Sequence, residues 1–257
     1  MLGAGGTLTL SALLAACSQS QDQPRAAPRT TTSAPPTTTT PPPPPPPSPV
    51  DLLDAAGTCT LTPETIAGPT WFDAHAVRSD IVDGRPGTPL ALAFRVVQAD
   101  GCTPLSGAVV DLWQADAGGI YSGFAGASPG QGGHAGGSDE YGDRQSAATD
   151  ADRYLRGTQV TGADGVVRFD TIYPGWYPTR TPHLHLKVHL AEATVRTTQL
   201  FFDDAVSDGV LAADPYSAEG SRDTRNDTDS FYKPAAQLRL AADGARWLGA
   251  LVLGVPS

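Results

Sequence analysis

The chain has 257 residues, 40% of them hydrophobic, and a formal net charge of −10. That is enough apolar material for one large domain or two small ones. Only two lysines occur, Lys187 and Lys233, and an acidic chain of this kind repels phosphate backbones, which argues against nucleic acid as a partner.

Residues 1–16, MLGAGGTLTLSALLAA, are small and apolar and too few to span a bilayer comfortably. They run into Leu14-Ala15-Ala16-Cys17, the form of a bacterial lipoprotein cleavage box, in which the cysteine becomes the lipidated first residue of the mature protein. No Lys or Arg precedes Arg25, so the basic start usual for a signal peptide is expected upstream of the given start. The alternative is an ordinary cleaved signal with an incidental Cys17. Either way the chain is expected outside the cell membrane, anchored at its outer face or secreted.

Residues 17–50 read as a linker. Ser18–Pro49 is mostly Thr, Pro, Ser and Gln, with an unbroken proline run from Pro41 to Pro47. Such sequence cannot bury a core and is expected to be disordered and extended. It would hold a domain over residues 51–257 away from a membrane, and it carries no active-site residue. The two remaining cysteines, Cys59 and Cys102, are expected to pair in an exported domain, with two buried thiols as the alternative. No Cys/His spacing reads as a zinc site.

From Leu90 the domain reads as short strands broken by turns. Leu90–Val97 is the first, closed by an Asp100-Gly101 turn, and Ala108–Gln114 the second. Gly165–Ile172, His183–Leu190 and Thr197–Phe202 follow. Helical periodicity is scarce, and Ala235–Leu240 is too short to assign. The pattern predicts an all-β chain folded as a sandwich with long loops. Tyr121 follows the second strand in a glycine-flanked turn where backbone can approach closely. Ala125–Arg156 is a long stretch rich in Gly, Ser and Asp that holds His134, Tyr141 and Tyr154. Loops of that length are usually lids or binding loops, or lack order. Ser221–Ser230, SRDTRNDTDS, reads as a solvated loop.

Asp170–Leu190, DTIYPGWYPTRTPHLHLKVHL, holds three of the five histidines. Its first half has three prolines and a glycine within ten residues and reads as a shaped loop. Within it Tyr173 and Trp176 read as packing residues. The second half alternates. Leu184, Leu186, Val188 and Leu190 point one way, and His183, His185, Lys187 and His189 the other, the pattern of a half-buried strand. His183 and His185 therefore share a face, roughly 7 Å apart along the backbone, and can converge on one metal. Tyr177, six residues upstream, is within reach of the same point.

YPGWYPTR followed by PHLHLKV resembles the ligand segment of the intradiol ring-cleavage dioxygenases. The family is also resembled, in the same order along the chain, by LTPETIAGPTWFD (Leu61–Asp73), GAVVDLWQADAGGIYSGF (Gly107–Phe124) and TTQLFF (Thr197–Phe202). The resemblance implies a β-sandwich enzyme holding Fe(III) with Tyr121, Tyr177, His183 and His185. Tyr121 and His183 would be equatorial, Tyr177 and His185 axial. It implies a catechol-type substrate that displaces the Tyr177 phenolate and is split by O2 between its two hydroxylated carbons into a muconate-type diacid. It makes Arg180 the charge beside the reacting ring and Gln199 a pocket hydrogen-bonding residue. Phenols titrate near pH ~10 and deprotonate on a bound cation. Two tyrosinates with neutral imidazoles suit a trivalent ion, whereas a 2-His-1-carboxylate set would suit Fe(II). The Ala125–Arg156 stretch is longer and the Tyr177-to-His183 gap shorter than in the soluble catabolic members, which leaves the particular catechol unnamed. A cell-envelope sandwich that binds iron or a catechol without turnover is the competing reading.

Overall fold

A computed structural model of the chain describes residues 46–54, 59–127, 130, 135–138, 144–191 and 193–256. The expected signal peptide and most of the expected linker lie outside the described residues, as do His134 and Tyr141.

Two four-stranded sheets form the domain, with a two-stranded hairpin beside them. The strands are β1 (Pro89–Gln98), β2 (Val109–Trp113), β3 (Ala135–Ser138), β4 (Arg144–Ser146), β5 (Arg156–Val160), β6 (Val166–Ile172), β7 (His183–Leu190), β8 (Ala193–Phe201), β9 (Arg239–Asp243) and β10 (Arg246–Val255). One sheet has the order β6-β1-β10-β9, the other β5-β2-β7-β8, and β3 pairs with β4. The sandwich expected from the alternation is the fold. Its core joins Leu90, Leu92, Phe94 and Val96 of β1, and Val167 and Phe169 of β6, to Val110 and Leu112 of β2, Leu184, Leu186 and Val188 of β7, and Leu200 of β8. Each of these side chains taken from water contributes about 2 kcal/mol, so alternate residues of every strand are committed to the interior.

Five expected strands appear within two residues of their predicted ends, except that β8 begins at Ala193 rather than Thr197. Five went unpredicted: β3 and β4, which pair within the Ala125–Arg156 stretch, and three strands of the sandwich. β5, RGTQV, is an edge strand with little apolar content. β10, RWLGALVLGV, lies between β1 and β9, and its nearly continuous apolar run shows no period of two. β9 pairs with it across a tight turn whose Asp243-Gly244 signal was readable. The Ala235–Leu240 stretch contributes a short 3-10 turn, Pro234–Ala236, and the start of β9. A helix, Asp204–Leu211, follows β8, and the Asp203 carboxylate caps it by accepting from Ala205 and Val206 N–H.

One expectation is corrected. β7 is not half-buried: His183 through Val188 are all buried. The outward face of its sheet is covered by residues 61–80. Thr65 N–H donates to the Thr197 carbonyl, Thr198 Oγ1 to Pro63 O, and Gln199 Nε2 to Ile66 O. The Trp71 ring lies 4.0 Å from Lys187 Nζ, and Arg78 N–H donates to Thr158 O. An N-terminal segment thus crosses the polar side of the sheet and removes it from water.

Cys59 and Cys102 are bonded, as expected, closing a sequence separation of 43 residues and tying the start of this segment to the turn after β1. Loop-closure entropy for that length is about 4 kcal/mol. Replacing both cysteines by alanine is expected to lower the unfolding free energy by about 2–4 kcal/mol, read from urea titration as a lower midpoint with a slope that rises as the unfolded chain expands.

Candidate metal centre

Three pieces of chain bring the predicted donors together. Tyr121 ends the turn that follows β2. Tyr177 lies on the proline-rich loop after β6. His183 and His185 open β7. The register across the sheet sets His185 in one row with Trp113 of β2 and Gln199 of β8, and sets Trp113 beside Arg156 of β5. The Trp113 indole stacks on His185, with ring centroids 5.0 Å apart and planes 14° apart. Gly175 lets the Tyr177 loop approach the Tyr121 turn, since a Cβ there would collide with the Ala117 carbonyl. A tight turn from Tyr177 to Arg180, with Arg180 N–H donating to Tyr177 O, puts both side chains at one place. Thr179 takes a positive φ of 72° in it, and its N–H is held by Asp223.

The four donor atoms converge. Tyr121 Oη is 2.9 Å from His185 Nε2, 3.4 Å from His183 Nε2 and 3.4 Å from Tyr177 Oη. Tyr177 Oη is 3.1 Å from His183 Nε2, and the two Nε2 atoms are 3.1 Å apart. All four residues are buried. His183 Nδ1–H donates to the Thr181 carbonyl at 2.7 Å, which leaves its Nε2 a bare lone pair. The Ala67 carbonyl lies beside the ring of His185, whose Nδ1 lacks a well-formed hydrogen bond.

This donor set fits iron. A point central to four donors about 3 Å apart lies about 2 Å from each, the length of a metal–nitrogen or metal–oxygen bond. Two imidazole nitrogens 3.1 Å apart in a dry site, each beside a phenol oxygen, are satisfied either by the phenol protons or by one cation that replaces them. Among the described residues no three His, Cys, Asp or Glu side chains form a metal cluster, so the phenols are needed to complete the set. Burial raises Tyr121 well above the usual phenol range, with Tyr177 adding to the effect. Burial also raises Tyr177, against the pull of Arg180. Burial lowers both histidines well below their usual value, and the Arg180 charge lowers them further. All four are therefore neutral without a metal, and only a strong cation would take the place of the phenol protons.

Arg180 and Gln199 border the donors. Arg180 Nε donates to Asp229 Oδ2 at 2.9 Å, Nη1 lies 3.5 Å from Tyr177 Oη, and Nη2 donates to Gln199 Oε1. Its guanidinium lies 4.7 Å from the Phe231 ring centroid. Gln199 therefore orients Arg180 from one side while its amide is tied to Ile66 O. Tyr154 is placed elsewhere. It packs with Leu155 and Ile172, and the Arg85 guanidinium lies 4.3 Å from its ring centroid. Tyr173 is fully buried and Trp176 partly, as packing residues.

Two residues went unread in the sequence. Asp229, in the run expected to be solvated, has a fully buried side chain and also accepts from Thr181 N–H and Phe231 N–H. Thr224 and Asn226 of the same run are buried as well. Arg156 is buried under Phe72, donates to the Ser122 hydroxyl and carbonyl at 2.8 Å each, and is lowered to about 9, chiefly by burial. No spacing in the sequence ties either residue to the site, since their partners are 49 and 34 residues away.

Two outcomes are expected. The unfolded chain protonates both histidines below pH ~6.5 while the folded site does not, so stability conferred above that pH is lost as pH falls. For two protons the loss approaches about 3 kcal/mol per pH unit, measurable by urea titration of the metal-free protein at pH 7, 6 and 5 against His183→Gln/His185→Gln. Asp229→Ala leaves the Arg180 charge buried without its partner and is expected to cost about 3–5 kcal/mol of stability, read from the same denaturation curves.

Comparison with known proteins agrees with this geometry. A family model described as "Dioxygenase" matches residues 62–138. The chain is 30% identical over 161 residues to catechol 1,2-dioxygenase 1 of Acinetobacter lwoffii, covering 54% of this chain and 45% of that one. It is 28% identical over 162 residues to 6-chlorohydroxyquinol 1,2-dioxygenase of Cupriavidus pinatubonensis, covering 54% and 50%. The chain thus spans about half the length of the curated relatives it matches. Over its solved relatives the match is fuller. An intradiol ring-cleavage dioxygenase from Tetranychus urticae superposes with a TM-score of 0.68 at 33% identity, covering 77% of this chain and 95% of that one. With that breadth of match, and with the family's motifs folded onto a single buried point, the chain belongs to the intradiol ring-cleavage dioxygenases.

Proposed function

We propose that the protein is a non-haem Fe(III) dioxygenase that opens a catechol-type ring between its two hydroxylated carbons, giving a muconate-type diacid. The observation that carries this reading is the convergence of Tyr121, Tyr177, His183 and His185 in a buried site, with Tyr121 Oη and His183 Nε2 each within 2.9–3.4 Å of the other three donors. Iron held by these four would supply a Lewis acid that draws electron density from a chelated catecholate and brings it to react with O2.

The protein's own share is placement and charge. Burial and the Arg180 charge keep His183 neutral, and because its Nδ1–H is spent on the Thr181 carbonyl the bare nitrogen is Nε2. Tyr121 is the more enclosed phenol, 2% exposed against 8% for Tyr177. Tyr177 lies on a turn rather than against a strand, and its oxygen is the atom that would take a catechol proton as substrate enters. Arg180, held by Asp229 and Gln199, keeps a fixed positive charge beside that oxygen and would stabilise negative charge growing on the ring. The segment over residues 61–80 keeps bulk water from the donors, which strengthens each of these interactions.

A catechol or hydroxyquinol is the substrate class suggested by the names of the two curated relatives. The domain is further proposed to be exported and held to a membrane through lipidated Cys17, on the strength of the Leu14–Cys17 box and the proline-rich run after it. Cys17→Ser should then release the protein from the membrane fraction.

Iron-loaded protein is expected to be red-brown from tyrosinate-to-iron charge transfer and to consume O2 with catechol or hydroxyquinol. Tyr177→Phe should shift the band. A colourless protein with stoichiometric iron would overturn the ligand set. Complex formation with a catechol and no O2 uptake would make it a binding module instead.

A further inference from the structure

Tyr121 and Tyr177 are 56 residues apart in the chain, yet a shared iron requires their oxygens to keep a fixed separation. One buried residue, through its carboxylate and its carbonyl, ties together the two loops that carry them. Asp116 is 4% exposed. Its Oδ1 accepts from Gly118 N–H and Ile120 N–H, each at 3.0 Å, closing the turn that ends at Tyr121. Its own N–H donates to the Ile120 carbonyl at 2.8 Å. Its carbonyl accepts from Gly119 N–H and also from Gly175 N–H, both at 3.0 Å. Gly175 stands two residues before Tyr177. The second carboxylate oxygen pairs with Arg85, whose guanidinium lies over the Tyr154 ring.

We infer that Asp116 is a positioning residue that sets the Tyr121-to-Tyr177 spacing, by locking the Tyr121 turn with its carboxylate and docking the Tyr177 loop on its carbonyl. The inference rests on the proposed iron site. Asp116 touches neither phenol oxygen; it acts through the backbone of two turns. Losing the carboxylate frees two partly buried N–H groups and lets the Tyr121 turn relax, which widens the donor set. Asparagine keeps an acceptor oxygen for both N–H groups and should keep the spacing.

The test compares four variants after iron loading, reading iron affinity by chelator competition and the phenolate charge-transfer band. Asp116→Ala removes the lock. Gly175→Ala leaves the carboxylate intact and wedges the loops apart, because the new methyl meets the Ala117 carbonyl. Asp116→Asn is the conservative rescue. Thr161→Ala breaks a comparable clamp at the far end of β2, where Thr161 Oγ1 accepts from Ala108 N–H and donates to Leu105 O. Asp116→Ala and Gly175→Ala are expected to weaken iron binding at least about tenfold, the size of one or two lost hydrogen bonds, and to shift or bleach the band. Asp116→Asn should stay within about threefold of wild type. Thr161→Ala should lower the melting temperature of the iron-free protein and leave the band in place. If Asp116→Ala does not fold, Gly175→Ala against Thr161→Ala decides. The inference is overturned if the first two variants keep the wild-type band and affinity, if Asp116→Asn loses them as fully as alanine does, or if Thr161→Ala moves the band as far. A colourless iron-loaded wild type would overturn the ligand reading and this inference together, which separates the two failures.

Discussion

The burial of both faces of β7 is the constraint on which the site depends. One face supplies Leu184, Leu186 and Val188 to the sandwich core. The other carries His183 and His185, which on an ordinary outer face would be solvated and free to titrate near their usual value. Because residues 61–80 cross that face, water is excluded and both imidazoles are held neutral. Neutral imidazole is the form that ligates metal. The energetic cost of drying two polar rings is offset by the leucines on the reverse of the same strand, so core packing and donor placement are one event. A one-residue slip of β7 would exchange the two sets and destroy both.

Charge is arranged around the donors with the same economy. Arg180 reaches the site compensated by Asp229, whose remaining acceptor capacity is filled by backbone N–H groups. Arg156 is different. It is buried with the Ser122 hydroxyl and carbonyl and the Phe72 ring as its neighbours, and its lowered value reflects the cost of that burial. Arg180 favours negative charge on both phenols, and Arg156 adds to its effect at Tyr121. Each phenol thus has a cation nearby, and ionised tyrosines in a dry cavity need that compensation as much as they need the metal.

How much of this was legible follows from which interactions are local. The period-two runs of β1, β6 and β7 are written in consecutive residues, and so were their strands and the shared face of His183 and His185. β10 was not legible, because its outward face is covered as well: Ala250 and Val252 cluster with Val50, Leu52 and Leu53, so little polar alternation is left. β5 was not, because an edge strand can be nearly all polar. The covering of β7 was missed for a related reason. Alternation with histidine and lysine reads as a wet face, and nothing within that strand says that residues more than a hundred positions earlier will lie over it. Tyr121 could be paired with the histidines only through the family resemblance, since its spacing carries no geometric code, whereas Tyr177, six residues before His183, was already within reach and the resemblance made it a ligand. Asp229 hid in a run of charged residues, where one buried carboxylate looks like its exposed neighbours.

The two phenols are held unequally, and the inequality has a physical origin. Tyr121 follows a turn closed by Asp116 and precedes Ser122, which is gripped by Arg156 and donates to the Tyr154 carbonyl. Its backbone is fixed on both sides. Tyr177 is anchored upstream through Gly175, but downstream it enters a four-residue turn that includes a threonine at positive φ, a conformation held there by Asp223 at the surface. Such a turn has less to lose by rearranging than a backbone bonded into the sheet layer. In the proposed iron site, where one ligand would yield to substrate while the metal stays bound, this division would serve: one phenol follows a turn closed by a carboxylate, the other lies on a turn with a residue at positive φ. Arg180 closes that turn with its N–H on the Tyr177 carbonyl, while its guanidinium is held by Asp229 and Gln199, so its charge is anchored outside the turn.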